Sequence, residues 1–380
     1  MEDCAVLVEN GQIADVFSNK RFEQRRFDNT LLIDVNGAII APGFIDTHIH
    51  GFGGFGTEDA LNEEGSSKDG SAILEMSRLL VQQGVTAFNP TIYPSEPASM
   101  LKTLKKLSSV MGNEDGAQIM GLHLEGPFIS PKRPGIMRTE VLQGVDISLM
   151  EKLWEASDGK IVNMTVAPEL KGMRELALCC LKKGIVLQAG HTDANYENVL
   201  EGIQAGILHS THLFNAMSPM EHRNPNAVGA ILIHREMSCE IIADGFHIHR
   251  DLYRLLLRNK FIEKIVLVTD ALKPTEQVKS PFYADGYEVI FSDGVFRRKE
   301  DNVIAGSSLS MIRGVKNLVD SGFSMEEAIK TSSFNPAKIM GYNKKGAIIP
   351  GYDADLVVFS KDFKVLVVIS RGEIKKNLFD

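Results

Sequence analysis

A chain of 380 residues exceeds one ordinary domain of ~150 residues, but a barrel of 250 or more with a small attachment accommodates it. With 44% hydrophobic and 24% charged residues and only 14 prolines, the composition excludes disordered, collagenous and low-complexity chains. The 41 basic and 49 acidic side chains leave a formal charge of -8, which excludes broad contact with nucleic acid or an anionic membrane, so an anionic substrate would need a local basic pocket.

The first ten residues, MEDCAVLVEN, lack a basic n-region, and no apolar run approaches ~18 residues. Neither a signal peptide nor a membrane span is expected, and the expected location is cytoplasmic. AVLVENGQIADVF predicts a hairpin with an Asn-Gly turn. Strands are then predicted to begin near Phe44, Val85, Ile119, Ile161, Ile185, Ile207, Glu240 and Lys264, at intervals that average about 31 residues. That interval suits a strand-helix-strand unit, and SAILEMSRLLVQQG shows the three-and-four apolar spacing of an intervening helix. Eight such units predict a (β/α)8 TIM-type barrel of the α/β class over 43–345, with function at the C-terminal ends of its strands. The closing stretch ADLVVFSKDFKVLVVISRGEI is again β-rich, and residues 1–42 and 346–380 are expected to form one small β-sandwich. Cys4, Cys179, Cys180 and Cys239 are too few and too irregular for a disulfide framework or a zinc knuckle and are expected to be reduced and mostly buried.

His48 and His50 lie two apart on the first strand, so both point to one face and could chelate a divalent metal. Other predicted strand ends supply Glu125, His191, His212 and Asp270. A carboxylate can bridge two metals, neutral imidazole is a common ligand, and a further carboxylate can serve as base. Six such residues at strand ends are poorly explained as hydrogen-bonded core polars. His209, His222, His234 and His249 are expected in helices, in loops or behind the site, and His123, on the strand face of Glu125, is expected to support it.

The segments PGFIDTHIHG, GLHLEGPFISPKRPG, AGHTDA, STHLFNAM, GAILIH, IIADGFHIH, LVTDAL, AGSSLSMIRGV and PGYDADLVVF follow one another in an order that resembles the amidohydrolase superfamily. Within it, HLEGPF, THLFNAM and ADGFH resemble the N-acetylglucosamine-6-phosphate deacetylases. The resemblance implies a barrel with a split β-sandwich. It also implies hydrolysis of the acetamide of N-acetyl-D-glucosamine 6-phosphate by a metal-activated hydroxide, within amino-sugar catabolism.

It further implies Glu125, His191 and His212 as metal ligands and Asp270 as the catalytic aspartate beside them. The retained His48 and His50 imply room for a second metal. One or two divalent ions per chain are expected, zinc ahead of iron, manganese or cobalt. The substrate contacts it implies are Asn215, the backbone of Ala216, His247, and the loop Ile304, Ala305, Gly306. Arg223 would reach the phosphate site of a neighbouring subunit in a homodimer. Met137 stands where many relatives carry a polar residue, often His. Other readings stay open: a deacetylase of another amino-sugar phosphate such as the N-acetylgalactosamine epimer, a different C–N hydrolase, or a metal-free scaffold. Dihydroorotases and hydantoinases bridge their metals with a strand-four lysine, and this chain reads TVAPE there.

Overall fold

A computed structural model describes residues 3–61, 71–278 and 280–379; Met1, Glu2 and Asp380, at the outer ends of the expected terminal segments, lie outside the described residues. Eight parallel strands form the central layer: Phe44–Ile49, Val85–Ile92, Leu122–Glu125, Ile161–Val166, Val186–Ala189, His209–Ser210, Cys239–Ile242 and Ile265–Val268. They are called strands one to eight below. Strands one to six form one continuous ladder, and seven pairs with eight. Backbone bonds close the ring at both seams: Leu213 N donates to Glu240 O at 2.9 Å, and Asp270 N to His48 O at 2.9 Å. The fold is thus a TIM-type barrel, as the spacing predicts.

Strand one is buried along its whole length, and so is strand two, because helices cover the outer face while side chains fill the inside. The helix Ser71–Gln82 buries Ala72, Ile73, Met76, Leu80 and Val81, a stripe at three-and-four spacing that faces the strands. Ile73, Met76, Leu80 and Val81 each contribute ~1.5–3 kcal/mol by this burial.

The third strand does not run unbroken from Ile119. Gln118–Ile119 pairs with strand two, and the ladder resumes at Leu122 beside strands two and four. Gly121 is where the chain changes partner, since a Cβ there would lie 2.3 Å from the Val162 side chain and only glycine permits so close an approach.

Strands from the two ends of the chain share a sheet: Ile39–Pro42 pairs antiparallel with Leu356–Phe359, followed by Val365–Ser370 and Glu373–Asn377. The hairpin Cys4–Glu9 and Gln12–Ser18 turns at Asn10-Gly11 and packs Val6, Val8, Ile13 and Val16 against Ile40, Leu356 and Ile369 of that sheet. These two layers form the small sandwich. Cys179, Cys180 and Cys239 carry free thiols, the last two buried.

One element is absent from the sequence reading. Between strand eight and the next helix, Met311–Asp320, the chain forms a four-stranded antiparallel sheet of Phe282–Ala284, Tyr287–Ser292, Val295–Arg298 and Ile304–Ser307. Among the described residues, no helix is long and apolar enough to cross a membrane.

Candidate metal centre and substrate cavity

The C-terminal ends of strands one, three, five, six and eight bring His48, His50, Glu125, His191, His212 and Asp270 together, all buried. The strand direction alone does not aim them. His191, His212 and Asp270 take positive φ of 46°, 22° and 49°, so the backbone turns sharply just as each strand ends. Such conformations cost ~1–3 kcal/mol each and persist only where the surrounding structure holds them. Here flanking bonds do so: Ser130 N donates to His191 O at 2.8 Å, Asn215 N to His212 O at 3.0 Å, and Ser307 N to Asp270 O at 2.8 Å.

Glu125 sits at the centre. Its Oε1 lies 3.2 Å from His191 Nε2, 3.0 Å from His212 Nε2 and 3.4 Å from His48 Nε2, while Oε2 lies 3.0 Å from His50 Nε2. Asp270 Oδ1 is 3.4 Å from both His48 Nε2 and His50 Nε2. The donors fall into two sets, His48 with His50 and Asp270, and Glu125 with His191 and His212, each with ligand atoms within 4.8 Å of one another. Glu125 therefore faces both sets.

Burial pushes the Glu125 carboxyl up, but the charge on His48 and hydrogen bonds from His191 and His212 outweigh it and hold it well below the usual range. Asp270 is lowered the same way: burial raises it, and His48 and His50 more than compensate. Burial pushes the His48 imidazole down, yet Glu125, Asp270 and Glu240 together carry it well above its ordinary value. The centre thus demands positive charge, from a proton or from a cation. A cation fits: His48 Nε2 is buried without a hydrogen bond, and the Nε2 atoms of His191 and His212 face each other at 3.1 Å over one carboxylate oxygen. Imidazole and carboxylate together suit zinc or another first-row divalent ion.

Above this floor lies a cavity of about 360 Å³. His50, Glu125, His191, His212 and Asp270 line its base, and Asn215, Ala216 and His247 form a polar side. Asp244 Oδ2 accepts a hydrogen bond from His247 Nδ1 at 2.6 Å, which fixes the ring. Ile136, Met137, Tyr93, Leu272, Val303 and Ile304 supply its apolar lining. Ile304 and Gly306 face the cavity from the inserted sheet. Ala305, between them, does not line it and is buried in an apolar cluster with Met137, Tyr93 and Leu272. At Gly306 a Cβ would lie 2.7 Å from Leu272 Cδ2 and 2.9 Å from Asp270 O, so the roof strand presses directly on the end of strand eight. Ala271 bridges Ser307, and Leu272 N donates to Ser307 O at 3.1 Å.

Arg223 does not join them: it lies on an exposed loop and lines no part of its own chain's cavity. His123 does not reach Glu125 either. It bonds Thr91 and Thr165 hydroxyls at 3.0 Å each and sets its ring edge against His48, and burial pushes its imidazole down to about 3. His209 sits beneath the site, 2.7 Å from Ser238 Oγ; His234 bonds Tyr196; His249 caps the helix Arg250–Asn259; His222 is exposed.

Two residues were missed. Tyr93 ends strand two and stacks on His50 with centroids 3.8 Å apart; its strand-end position was the available signal. Glu240, fully buried, accepts from His48 Nδ1 at 3.0 Å. An acid heading the apolar run EIIA was anomalous enough to flag it.

Comparison with known proteins places these features in a family context. The Amidohydrolase family matches residues 39–375. The N-acetylglucosamine-6-phosphate deacetylase of Bacillus subtilis is 34% identical over 343 residues, covering 89% of this chain and 84% of that protein. The human N-acetylglucosamine-6-phosphate deacetylase is 32% identical over 378 residues, covering 97% and 90%. The crystal structure of N-acetylglucosamine-6-phosphate deacetylase from Pasteurella multocida superposes with a TM-score of 0.90 at 29% identity, covering 99% and 96%. A mutant Mycobacterium smegmatis enzyme in complex with N-acetyl-D-glucosamine-6-phosphate gives 0.88 at 26% identity, covering 98% and 94%.

Proposed function

The chain belongs to the amidohydrolase family, among its N-acetylglucosamine-6-phosphate deacetylases, and from that premise we propose that it cleaves the acetamide of N-acetyl-D-glucosamine 6-phosphate into D-glucosamine 6-phosphate and acetate. What carries this reading is the convergence of four imidazoles and two carboxylates at the base of one cavity with a polar side and an apolar lining. An amide resists water because its carbonyl is weakly electrophilic and its amine leaves poorly unless protonated. Glu125, His191 and His212 would hold a divalent cation and His48, His50 and Asp270 a second, and the chemistry such an ion would supply is polarisation of the carbonyl and a lowered pKa of water. Zinc suits this donor set best, ahead of iron, manganese or cobalt.

Asp270 takes the proton from the attacking water on its carboxylate and hands it to the amine nitrogen as the C–N bond breaks, a base becoming an acid. Asn215, the backbone N–H of Ala216 and His247 hold the phosphate end. With its Nδ1 fixed by Asp244, His247 presents Nε2 to that end. Remote binding of this kind orients the acetamide over Asp270 and lowers the barrier. Met137, with Ile136, Tyr93 and Leu272, offers the acetyl methyl an apolar wall and keeps water from that side, while the strand Ile304 to Gly306 covers the sugar. Arg223, exposed and outside its own cavity, is suited to reach a second subunit's phosphate in a homodimer. A charged sugar phosphate does not cross membranes unaided, which supports a cytoplasmic location.

The test is acetate release from N-acetylglucosamine 6-phosphate, its galactosamine epimer and the unphosphorylated sugar, with metal content measured on the same sample. The first substrate is expected to exceed the unphosphorylated sugar in kcat/KM by at least ~100-fold, as loss of the phosphate contacts implies, and the epimer measures selectivity for the sugar itself. Equal rates with and without phosphate would sink the reading.

A further inference from the structure

A line of side-chain hydrogen bonds crosses the barrel interior without touching the cavity. Tyr342 donates its hydroxyl to Asn89 Oδ1 at 2.6 Å, and Asn89 Nδ2 donates to Asn163 Oδ1 at 3.1 Å. Asn163 Nδ2 donates to Gln188 Oε1 at 2.7 Å, and Gln188 Nε2 donates to Glu240 Oε1 at 2.6 Å. The line ends where Glu240 Oε2 meets His48 Nδ1 at 3.0 Å. Asn89, Asn163, Gln188, Glu240 and His48 are all fully buried, so water cannot substitute for a missing partner.

The direction of donation is the informative feature. Every link points toward Glu240, and an amide cannot be reversed within the line without setting N–H against N–H or oxygen against oxygen at its neighbour. Around the carboxylate the remaining polar neighbours are also nitrogens: His212 N at 3.4 Å and His209 Nε2 at 3.7 Å. Glu240 is therefore an acceptor at both oxygens, and His48 must place its ring proton on Nδ1. Where a cation takes the place of the second ring proton, the Nε2 lone pair is left to face it between Glu125 and Asp270, and Nε2 makes no hydrogen bond there.

We propose that Glu240 is a positioning residue that fixes the Nδ1-protonated tautomer of His48 and so makes Nε2 a ligand for a divalent cation in the His48, His50 and Asp270 set. The proposal rests on the metal-dependent reading above, but the hydrolysed substrate does not enter it. Glu240→Gln is the informative change because it keeps shape and removes only acceptor capacity. Either orientation of the new amide sets an N–H against a donor, Gln188 on one side or His48 on the other. Turned toward His48, it drives the ring proton to Nε2 and removes the ligand.

The experiment counts bound metal. Wild type, Glu240→Gln, His48→Ala and the double variant are stripped with chelator and dialysed against graded Co2+, with bound cobalt read by mass spectrometry and folding by thermal melt. Glu240→Gln is expected to weaken one cobalt equivalent by ~10–100-fold, the usual effect of losing a partner behind a metal-bound histidine, and to leave the other unchanged. In the His48→Ala background the same change is expected to cost nothing further. Cobalt binding by folded Glu240→Gln equal to wild type, or an equal loss with and without His48, would overturn the proposal. If Glu240→Gln does not fold, 15N-histidine spectra of metal-loaded wild type decide. A His48 ring proton on Nδ1 supports the proposal, and one on Nε2 overturns it. Failure of the deacetylase reading appears separately, in the acetate assay.

Discussion

Asp270 sits where strand eight turns into left-handed backbone, with its Oδ1 3.4 Å from the Nε2 atoms of both His48 and His50. General acid-base groups contribute ~10²–10⁴-fold, so Asp270→Asn is expected to lower turnover at least ~100-fold while substrate affinity stays close to wild type. Near-normal turnover would remove Asp270 from the proton path. Glu125→Ala is expected to abolish metal binding, because it deletes the oxygen facing His191 and His212 and the one facing His50. His48→Ala should cost only the second cation, and unchanged metal content in that variant would show that the His48 and His50 pair holds none. These six residues were legible because they close five of the eight recurring apolar runs, so the strand count alone brings them to one ring. Glu240 was legible only as an acid out of place at the head of EIIA; its role comes from Gln188 and His48, 52 and 192 residues away, and no local pattern reports such a pairing.

The barrel strands could be read at the scale of elements because helices cover them and leave continuous apolar runs. The inserted sheet could not, although its sequence carried the cue: Asp285-Gly286 and Asp293-Gly294 sit at its turns with positive φ, the residue pairs two-residue hairpins favour. That sheet is anchored by Asp285, whose Oδ2 accepts from Arg138 N at 3.3 Å and whose own N donates to Glu58 Oε1 at 2.5 Å. Burial lifts the Asp285 carboxyl from 3.8 to about 6, outweighing the pull of Arg138. Between those values the folded chain holds a proton that the unfolded chain has released, so stability falls as pH rises through the window, and the penalty is complete above about 6. Asp285→Asn keeps the turn and removes the charge. Its melting temperature is expected to exceed wild type at pH 8, by at most about 3 kcal/mol of stability, and to converge with it near pH 4. A variant less stable than wild type at pH 8 would contradict this.

Across the whole molecule, a formal charge of -8 leaves a dianionic substrate dependent on local positive groups, and Arg223 is suited to pair bidentately with phosphate. We propose that it does so across a homodimer. Arg223→Ala should raise KM for the phosphorylated substrate and leave the unphosphorylated sugar nearly unchanged. Mixing Arg223→Ala with Asp270→Asn chains should restore activity in proportion to heterodimer, which carries one site with both residues intact; no recovery in confirmed heterodimers would place Arg223 elsewhere. We also propose that residues 1–42 and 346–380 act as one unit beside the barrel 43–345, since strands 39–42 and 356–359 pair directly. Finally, Ser307 accepts from Leu272 N at 3.1 Å and donates its own N–H to Asp270 O at 2.8 Å, while His50 N and Gly51 N both reach Ala271 O at 3.0 Å. A sugar under the strand Ile304 to Ser307 and a cation at Asp270 would both act on this seam, and they are expected to be linked ligands, each improving the other's Kd by the same factor. Slowed amide exchange at Ile304 to Ser307 on adding metal alone would be the direct sign of that linkage, and unchanged exchange with each Kd unaffected by the other occupant would show the two to be independent.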